Sequence, residues 1–300
     1  MIISSEPRSA LILLNYRDVE NCRAFLCSLR ESSAVDRVMV VDNASPGRDF
    51  EDLVAEFDDG RIAVVRSPSN GGYAVGNNFG WREAMRRWPT IETLIISNPD
   101  VTIDSSSLNE VLAAVRPRGE FDAAAPLIVD RIGNASQYFA WPLPTYFDVL
   151  LSTSVILSVI RQRLGFHSYA VPAGAQAPFA VDVLPGACFA ISAEAFERVQ
   201  GFDEQTFLFC EENMLAHRLK ARGMRSAIVP KATAFHQVSS SVRRSFKGDH
   251  VKFALAARSY DAYLRHYLDS PRVLVFLYRA AVRFGYVERI VLSRVRRPRP

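Results

Sequence analysis

Short apolar runs alternate with segments of helical apolar spacing through the first third of the chain. Ala10–Leu14, Arg37–Val41, Arg61–Val65 and Thr93–Ile96 are the runs. Between them, Val19–Glu31 places Cys22, Phe25, Leu26 and Leu29 on one helical face, a second helical segment ends near Phe57, and a third extends from about Ala74 to Arg87. Runs apolar at nearly every position, rather than at alternate ones, are strands covered on both faces. Strand–helix repetition of this kind predicts an α/β domain with a mostly parallel central sheet and flanking helices. Ligands of such sheets bind beyond the carboxyl ends of the strands. Tyr16, Asp42 and Asp100 each follow such an end, so three polar groups are expected to converge on one crevice.

The pattern fades in residues 130–182, where Trp141-Pro-Leu-Pro144 and a Pro/Gly/Ala-rich stretch, Pro172–Pro178, read as loop. So long an interruption in an α/β chain is read as an insertion that acts as a lid, a specificity element or a membrane-facing helix. Strand-like residues return over Val181–Ile191. Ser192 then fits a helix N-cap, Glu211–Arg222 a helix closed by Gly223, and Ala227–Val229 a further short strand running out near His236. Residues 1–240 are thus predicted to form the main domain, with 241–300 as a basic, helical extension. Within that extension, 254–268 and Val273–Phe284 read as amphipathic helices, followed by Arg294, Arg296, Arg297 and Arg299.

Charge sharpens this division. The net charge is only +4, too small to imply nucleic acid as a partner, but from Ser241 onward 14 Lys and Arg face 4 Asp and Glu, which leaves residues 1–240 with 22 against 28. An acidic body with a basic tail suits contact of the tail with an anionic membrane surface. The competing arrangement packs these helices on the body, with or without a homodimer interface, and leaves only the final arginines free. Met1–Arg8 has no basic start, and Val149–Ile160 is well short of the roughly 20 residues a bilayer span requires, so a cytoplasmic chain is expected, at most peripheral at the inner face of the cell membrane. The four cysteines lack paired or metal-binding spacing and are expected as reduced, buried thiols.

Seven short motifs occur in order: Asn15-Tyr16, Val41-Asp-Asn-Ala-Ser45, Asn70–Asn78, Asn98-Pro-Asp100, Leu184-Pro-Gly-Ala-Cys188, Gly201-Phe-Asp-Glu204 and Phe207–Glu212. Together they resemble family-2 glycosyltransferases of the GT-A (nucleotide-diphospho-sugar transferase, Rossmann-like) fold, in the bacterial rhamnosyltransferase-like branch, over roughly residues 9–240. The resemblance implies that Asp42 accepts a hydrogen bond from a pyrimidine base, for which an acceptor-only carboxylate is chemically apt. The alternative is a carboxylate closing the turn Asp42–Ser45. Tyr16 is implied to line the base pocket. The glycine loop with Gly72 and the amides of Asn77 and Asn78 is implied to approach the nucleotide, the alternative being a tight turn with capping asparagines.

Asn98-Pro-Asp100 stands where the family has Asp-x-Asp, with Asn98 at the first acidic position. Asp100 is implied to bind Mg²⁺ or Mn²⁺ bridging the phosphates, with His236 near the metal. Glu211-Glu212 matches the acidic pair that opens a helix, with Glu212 in the place of the base and Glu211 positioning it or the acceptor. The implied reaction is inverting transfer from a dTDP- or UDP-sugar, with L-rhamnose from dTDP-rhamnose foremost, to a hydroxyl of a glycan or lipid-linked saccharide. The reading from another class is a non-catalytic nucleotide-sugar-binding or scaffold protein of a polysaccharide assembly complex.

Overall fold

The computed structural model describes residues 6–30, 32–130, 132–136, 138–163, 169–237 and 249–295. In its N-terminal half, strands β1 (Ser9–Asn15), β2 (Arg37–Asp42), β3 (Ile62–Arg66) and β4 (Thr93–Ser97) alternate with helices α1 (Val19–Leu29), α2 (Asp49–Phe57) and α3 (Gly72–Arg87). These four strands are parallel, in the order β3-β2-β1-β4. Their middle residues are buried on both faces, and this is why they read as unbroken apolar runs.

All-parallel pairing holds through this half, and the other half is mixed. Beyond β4 the order continues β8 (Cys188–Ser192), β6 (Ala123–Val129), β9 (Ser226–His236) and β5 (Val101–Ile103), with β7 (Phe179–Val181) also on β9. Here β8 is antiparallel to both β4 and β6, β6 and β9 are parallel, and β5 and β7 are antiparallel to β9. An apolar run does not record its own direction, so this half was closed to a pattern argument. Likewise β9 extends well past the short strand expected at Ala227–Val229. The register against β6 shifts between Pro126 and Leu127, leaving Pro230 in an irregular stretch where its missing N–H costs the ladder nothing. Helices α4 (Ser105–Ala114) and α7 (Ala193–Arg198) flank the sheet, with Asp104 and Ser192 as side-chain N-caps. Helix α8 (Glu211–Ala221) carries the acidic pair.

The described residues of 130–182 include two short helices, α5 (Tyr146–Leu151) and α6 (Val155–Arg163), of which α5 opens with a capping box between Thr145 and Asp148. The C-terminal helices are longer than their amphipathic cores suggested: α9 (Asp249–His266) and α10 (Arg272–Val295). They pack on the body. Val149, Cys210, Met214, Ala262, Tyr263, Leu264 and Tyr278 form a second apolar core, separate from the one around the sheet. Tyr263 is fully buried there and donates to the Pro144 carbonyl, while Ser259 donates to that of Leu208. Met214 of α8 is fully buried in this core. Of the four unpaired cysteines, Cys22, Cys188 and Cys210 are buried, whereas Cys27 is exposed on α1. Arg296, Arg297 and Arg299 lie outside the described residues, as does the stretch 238–248.

Candidate functional site

The carboxyl ends of β1, β2 and β3 bring Asn15, Asp42 and Arg66 into one row, since Asn15 is paired with Asp42 and Asp42 with Arg66 in the parallel register. Asp42 is fully buried. Its Oδ1 accepts from the Asn15 amide at 3.1 Å, its Oδ2 accepts from the Ser45 N–H at 3.1 Å, and Arg66 Nε lies 3.4 Å away. Burial pushes this carboxyl above its usual range, and the Ser45, Asn15 and Arg66 contacts work against that shift. Asp42 therefore closes its turn, the alternative raised for it, and it sits beneath a guanidinium. Arg66 also donates to the Ser45 carbonyl and lies 5.6 Å from the Phe50 ring centre. Tyr16, half-buried, directly follows Asn15 at the end of β1.

The second cluster forms where β4 ends. The β5–β9 register sets Val101 opposite His236, and this brings His236 Nε2 to 3.2 Å from Asp100 Oδ1. The Gln237 N–H donates to the Asp100 carbonyl and holds the two segments together. The Asp100 side chain is nearly buried and that of His236 about one-fifth exposed. Among the described residues no group of three or more His, Cys, Asp or Glu side chains is arranged to hold a metal. The pair nevertheless fits a divalent ion that takes its remaining ligands from elsewhere. Two donors at right angles around an ion, each at about 2.1 Å, stand about 3.0 Å apart, close to the observed separation. A hard oxygen with an imidazole nitrogen suits Mn²⁺ or Mg²⁺. Asn98, half-buried, donates its backbone N–H to the Ala187 carbonyl.

That bond links the metal-type cluster to the acidic pair. Gly186 precedes Ala187, and a methyl at Gly186 would collide with the Glu212 carboxylate, so only glycine lets this loop lie against Glu212. The Gly186 N–H donates to Glu212, and the Tyr73 hydroxyl donates to the Gly186 carbonyl at 2.7 Å. Glu211 and Glu212 form the first turn of α8 after two non-glycine residues in the left-handed region, Phe209 at φ 72° and Cys210 at φ 73°. Consecutive strained residues of this kind persist only where the surroundings enforce them. Here α9 grips the segment through Ser259 and the second core.

Burial raises both carboxyls, and for Glu211 the adjacent Glu212 charge raises it further. Glu211 is 2% exposed and its Oε1 has no hydrogen-bond partner, whereas Glu212 is half-buried. Glu211 is thus the member held protonated. A raised acid binds its proton more tightly folded than unfolded. Its stabilising effect is complete below the ordinary Glu value of 4.5 and is lost as pH rises toward the folded value. Thermal midpoints should therefore fall as pH rises from about 5 through neutrality, and Glu211→Gln should flatten that dependence. A Glu211→Gln midpoint that falls with pH as steeply as the parent's would contradict it.

The glycine loop differs from what its motif implied. Helix α3 begins at Gly72 rather than near Ala74; Gly72 has φ +87°, and any side chain there would strike the Phe207 carbonyl oxygen. Its backbone approaches the chain ahead of α8, and the next residue, Tyr73, donates its N–H to that same carbonyl. Asn77 and Asn78 lie in the second turn of α3, both buried. Asn77 donates to the Tyr73 carbonyl at 3.0 Å, leaving its buried oxygen unpaired. Asn78 bonds both ways to the Phe202 backbone and donates to Glu204, so its amide fastens α3 to the 201–204 loop. Asn15, Tyr73 and Gly186 lay within sequence motifs but were given no role of their own, and Arg66 was not singled out at all. For Arg66 a signal existed, because it ends an apolar run as Asp42 does.

Comparison with known proteins agrees with this architecture. The family model described as Glycosyl transferase family 2 matches residues 11–197. An N-acetylglucosaminyl-diphospho-decaprenol L-rhamnosyltransferase of Mycobacterium tuberculosis is 26% identical over 256 residues, covering 78% of this chain and 77% of that protein. The low-salt glycan biosynthesis hexosyltransferase Agl10 of Haloferax volcanii is 24% identical, over 76% of this chain and 66% of its own length. Among solved structures, a mannosyltransferase from Pyrobaculum calidifontis in complex with GDP-Man and Mn²⁺ superposes with a TM-score of 0.56 at 16% identity, covering 99% of this chain and 78% of that one. TarS 1–349 of S. aureus in complex with UDP-GlcNAc gives 0.54 at 10% identity, covering 95% and 92%. A sheet that gathers Asp42, Asp100 and the Glu211–Glu212 pair at one edge, matched by the family model over more than half its length, belongs to a GT-A enzyme: the chain is a family-2 glycosyltransferase.

Proposed function

We propose that this crevice binds a nucleoside-diphosphate sugar and transfers the sugar, with inversion, to a hydroxyl of a lipid-linked or cell-surface glycan. The donor is read as dTDP-L-rhamnose. The observation that carries the reaction class is the coupling of the Asp100–His236 pair to the Glu211–Glu212 pair through one loop, Asn98 to Ala187 and Gly186 to Glu212. The donor sugar and acceptor rest on the rhamnosyltransferase of M. tuberculosis.

Asn15, Asp42, Tyr16 and Arg66 receive the base and ribose end. Asp100 and His236 would hold a divalent ion, which when bound neutralises the diphosphate and makes it a better leaving group. Glu212 accepts the proton of the acceptor hydroxyl as its oxygen attacks the anomeric carbon, while the bond from that carbon to the diphosphate breaks and the nucleoside diphosphate departs. A carboxylate raised by burial is better matched to this task near neutral pH than an exposed one. Glu211, protonated beside it, adds no second charge to repel the departing anion.

The test offers the protein dTDP-L-rhamnose, UDP-N-acetylglucosamine and GDP-mannose, each with a polyprenyl-diphospho-N-acetylglucosamine acceptor, with Mg²⁺, Mn²⁺ or chelator. Metal-dependent transfer from dTDP-L-rhamnose, releasing dTDP, is expected. Transfer from another donor would overturn the sugar assignment alone. Tight donor binding without turnover on any acceptor would favour the scaffold reading.

A further inference from the structure

Helix α10 presents two apolar faces, and only one of them is used by the fold. Val275, Tyr278 and Gly285 turn inward: Tyr278 joins the second core, and Gly285 lies against the Thr153 carbonyl. Glu288 reaches across to accept from the Val155 and Ile156 N–H groups and so caps α6. The other face is exposed. Val273, Phe276, Leu277, Ala280, Phe284, Val287 and Val291 recur at spacings of three and four residues, forming a continuous stripe along the helix. Phe276 and Phe284 are each 69% exposed. The start of α6, clamped to α10 by Glu288, adds the exposed Ile156 and Leu157 beside the stripe.

Basic side chains follow one edge of this stripe. Arg272, Arg279 and Arg283 recur one helical row away from it; Arg279 and Arg283, with Arg258 and Arg265 of α9, rim an open groove of about 790 Å³ between the two helices. Asp261 is the acid in that groove and is engaged by Arg265 and Arg279, while Arg258, Arg272 and Arg283 form no ion pair with another described residue. No helix among the described residues is long and apolar enough to cross a membrane. An exposed apolar stripe edged by arginines, two of which have no ion pair among the described residues, fits the plane of a membrane interface, with aromatic side chains among the acyl chains and guanidinium groups at headgroup phosphates.

We propose that the outer face of α10, with the start of α6, seats this enzyme on an anionic phospholipid membrane, the arginine-rimmed groove receiving the headgroup phosphates. The surface goes beyond the catalytic reading and does not depend on which sugar is transferred.

Full-length protein is sedimented with phosphatidylcholine vesicles, with or without phosphatidylglycerol, across a range of salt, and its mass is followed by light scattering. Binding is expected only with phosphatidylglycerol and should weaken as salt is raised. The double variants Phe276→Ser/Phe284→Ser and Arg272→Gln/Arg283→Gln should each lower it on the order of tenfold or more. Both pairs are exposed, so fold and transfer to a water-soluble acceptor should be retained; that second assay separates failure of the surface from failure of the catalytic reading. Equal binding to neutral vesicles, or none to either kind, would overturn the proposal. So would a dimer dispersed by Phe276→Ser/Phe284→Ser, which would assign the stripe to a second copy of the chain.

Discussion

Asp100→Ala is expected to leave the fold in place and to reduce sugar transfer on the order of 10³-fold. The side chain ends a loop, and its one described partner is His236, so its loss removes a single polar contact and no apolar packing. A net contact of this kind contributes about 1 kcal/mol, a shift of a few degrees in thermal midpoint for a domain of this size. Losing the carboxylate that would hold the ion costs several kcal/mol of transition-state stabilisation, and every 1.36 kcal/mol is tenfold. Circular dichroism and turnover measured on one preparation check both halves. His236→Ala should act in the same direction but more weakly, since a neutral nitrogen is replaced more readily by water than a carboxylate is. Full metal-dependent turnover in Asp100→Ala would remove Asp100 from the role.

Glu212→Gln preserves shape but cannot accept a proton, and turnover should fall by about 10²–10⁴-fold while donor affinity stays near the parent value. The two members of the pair should not behave alike. Glu212 faces the Gly186 loop and is half-buried, whereas Glu211 is sealed and protonated, so Glu211→Gln substitutes one neutral group for another. It should retain most of its turnover. Steady-state kinetics on both variants decide the matter: an inactive Glu211→Gln beside an active Glu212→Gln would reverse the assignment.

The contrast between these residues and Asn78 shows what a linear pattern can carry. The buried parallel strands were legible because double-sided burial writes an unbroken apolar run, and strand ends then located Asp42 and Asp100. The direction of β8, the extent of β9 beyond Pro230 and the nearness of His236 to Asp100 arise from pairing between distant segments, and nothing within any one segment encodes them. Asn78 stood in a motif that implied a nucleotide contact, and the motif gave no sign that its amide also answers the backbone of Phe202, 124 residues away. The left-handed pair Phe209–Cys210 was hidden for another reason. Neither residue type favours that conformation, so its cause lies in the packing around it rather than in local propensity.

The second core also bears on how the molecule comes apart. Because Tyr263 and Tyr278 share one apolar cluster with Cys210 and Met214, α9, α10 and the start of α8 are expected to melt together. Deleting residues 241–300 would open Cys210 and Met214 to water and release the strained turn that aims Glu211 and Glu212. Local unfolding of α9 is therefore expected to disorder the start of α8 in the same cooperative event.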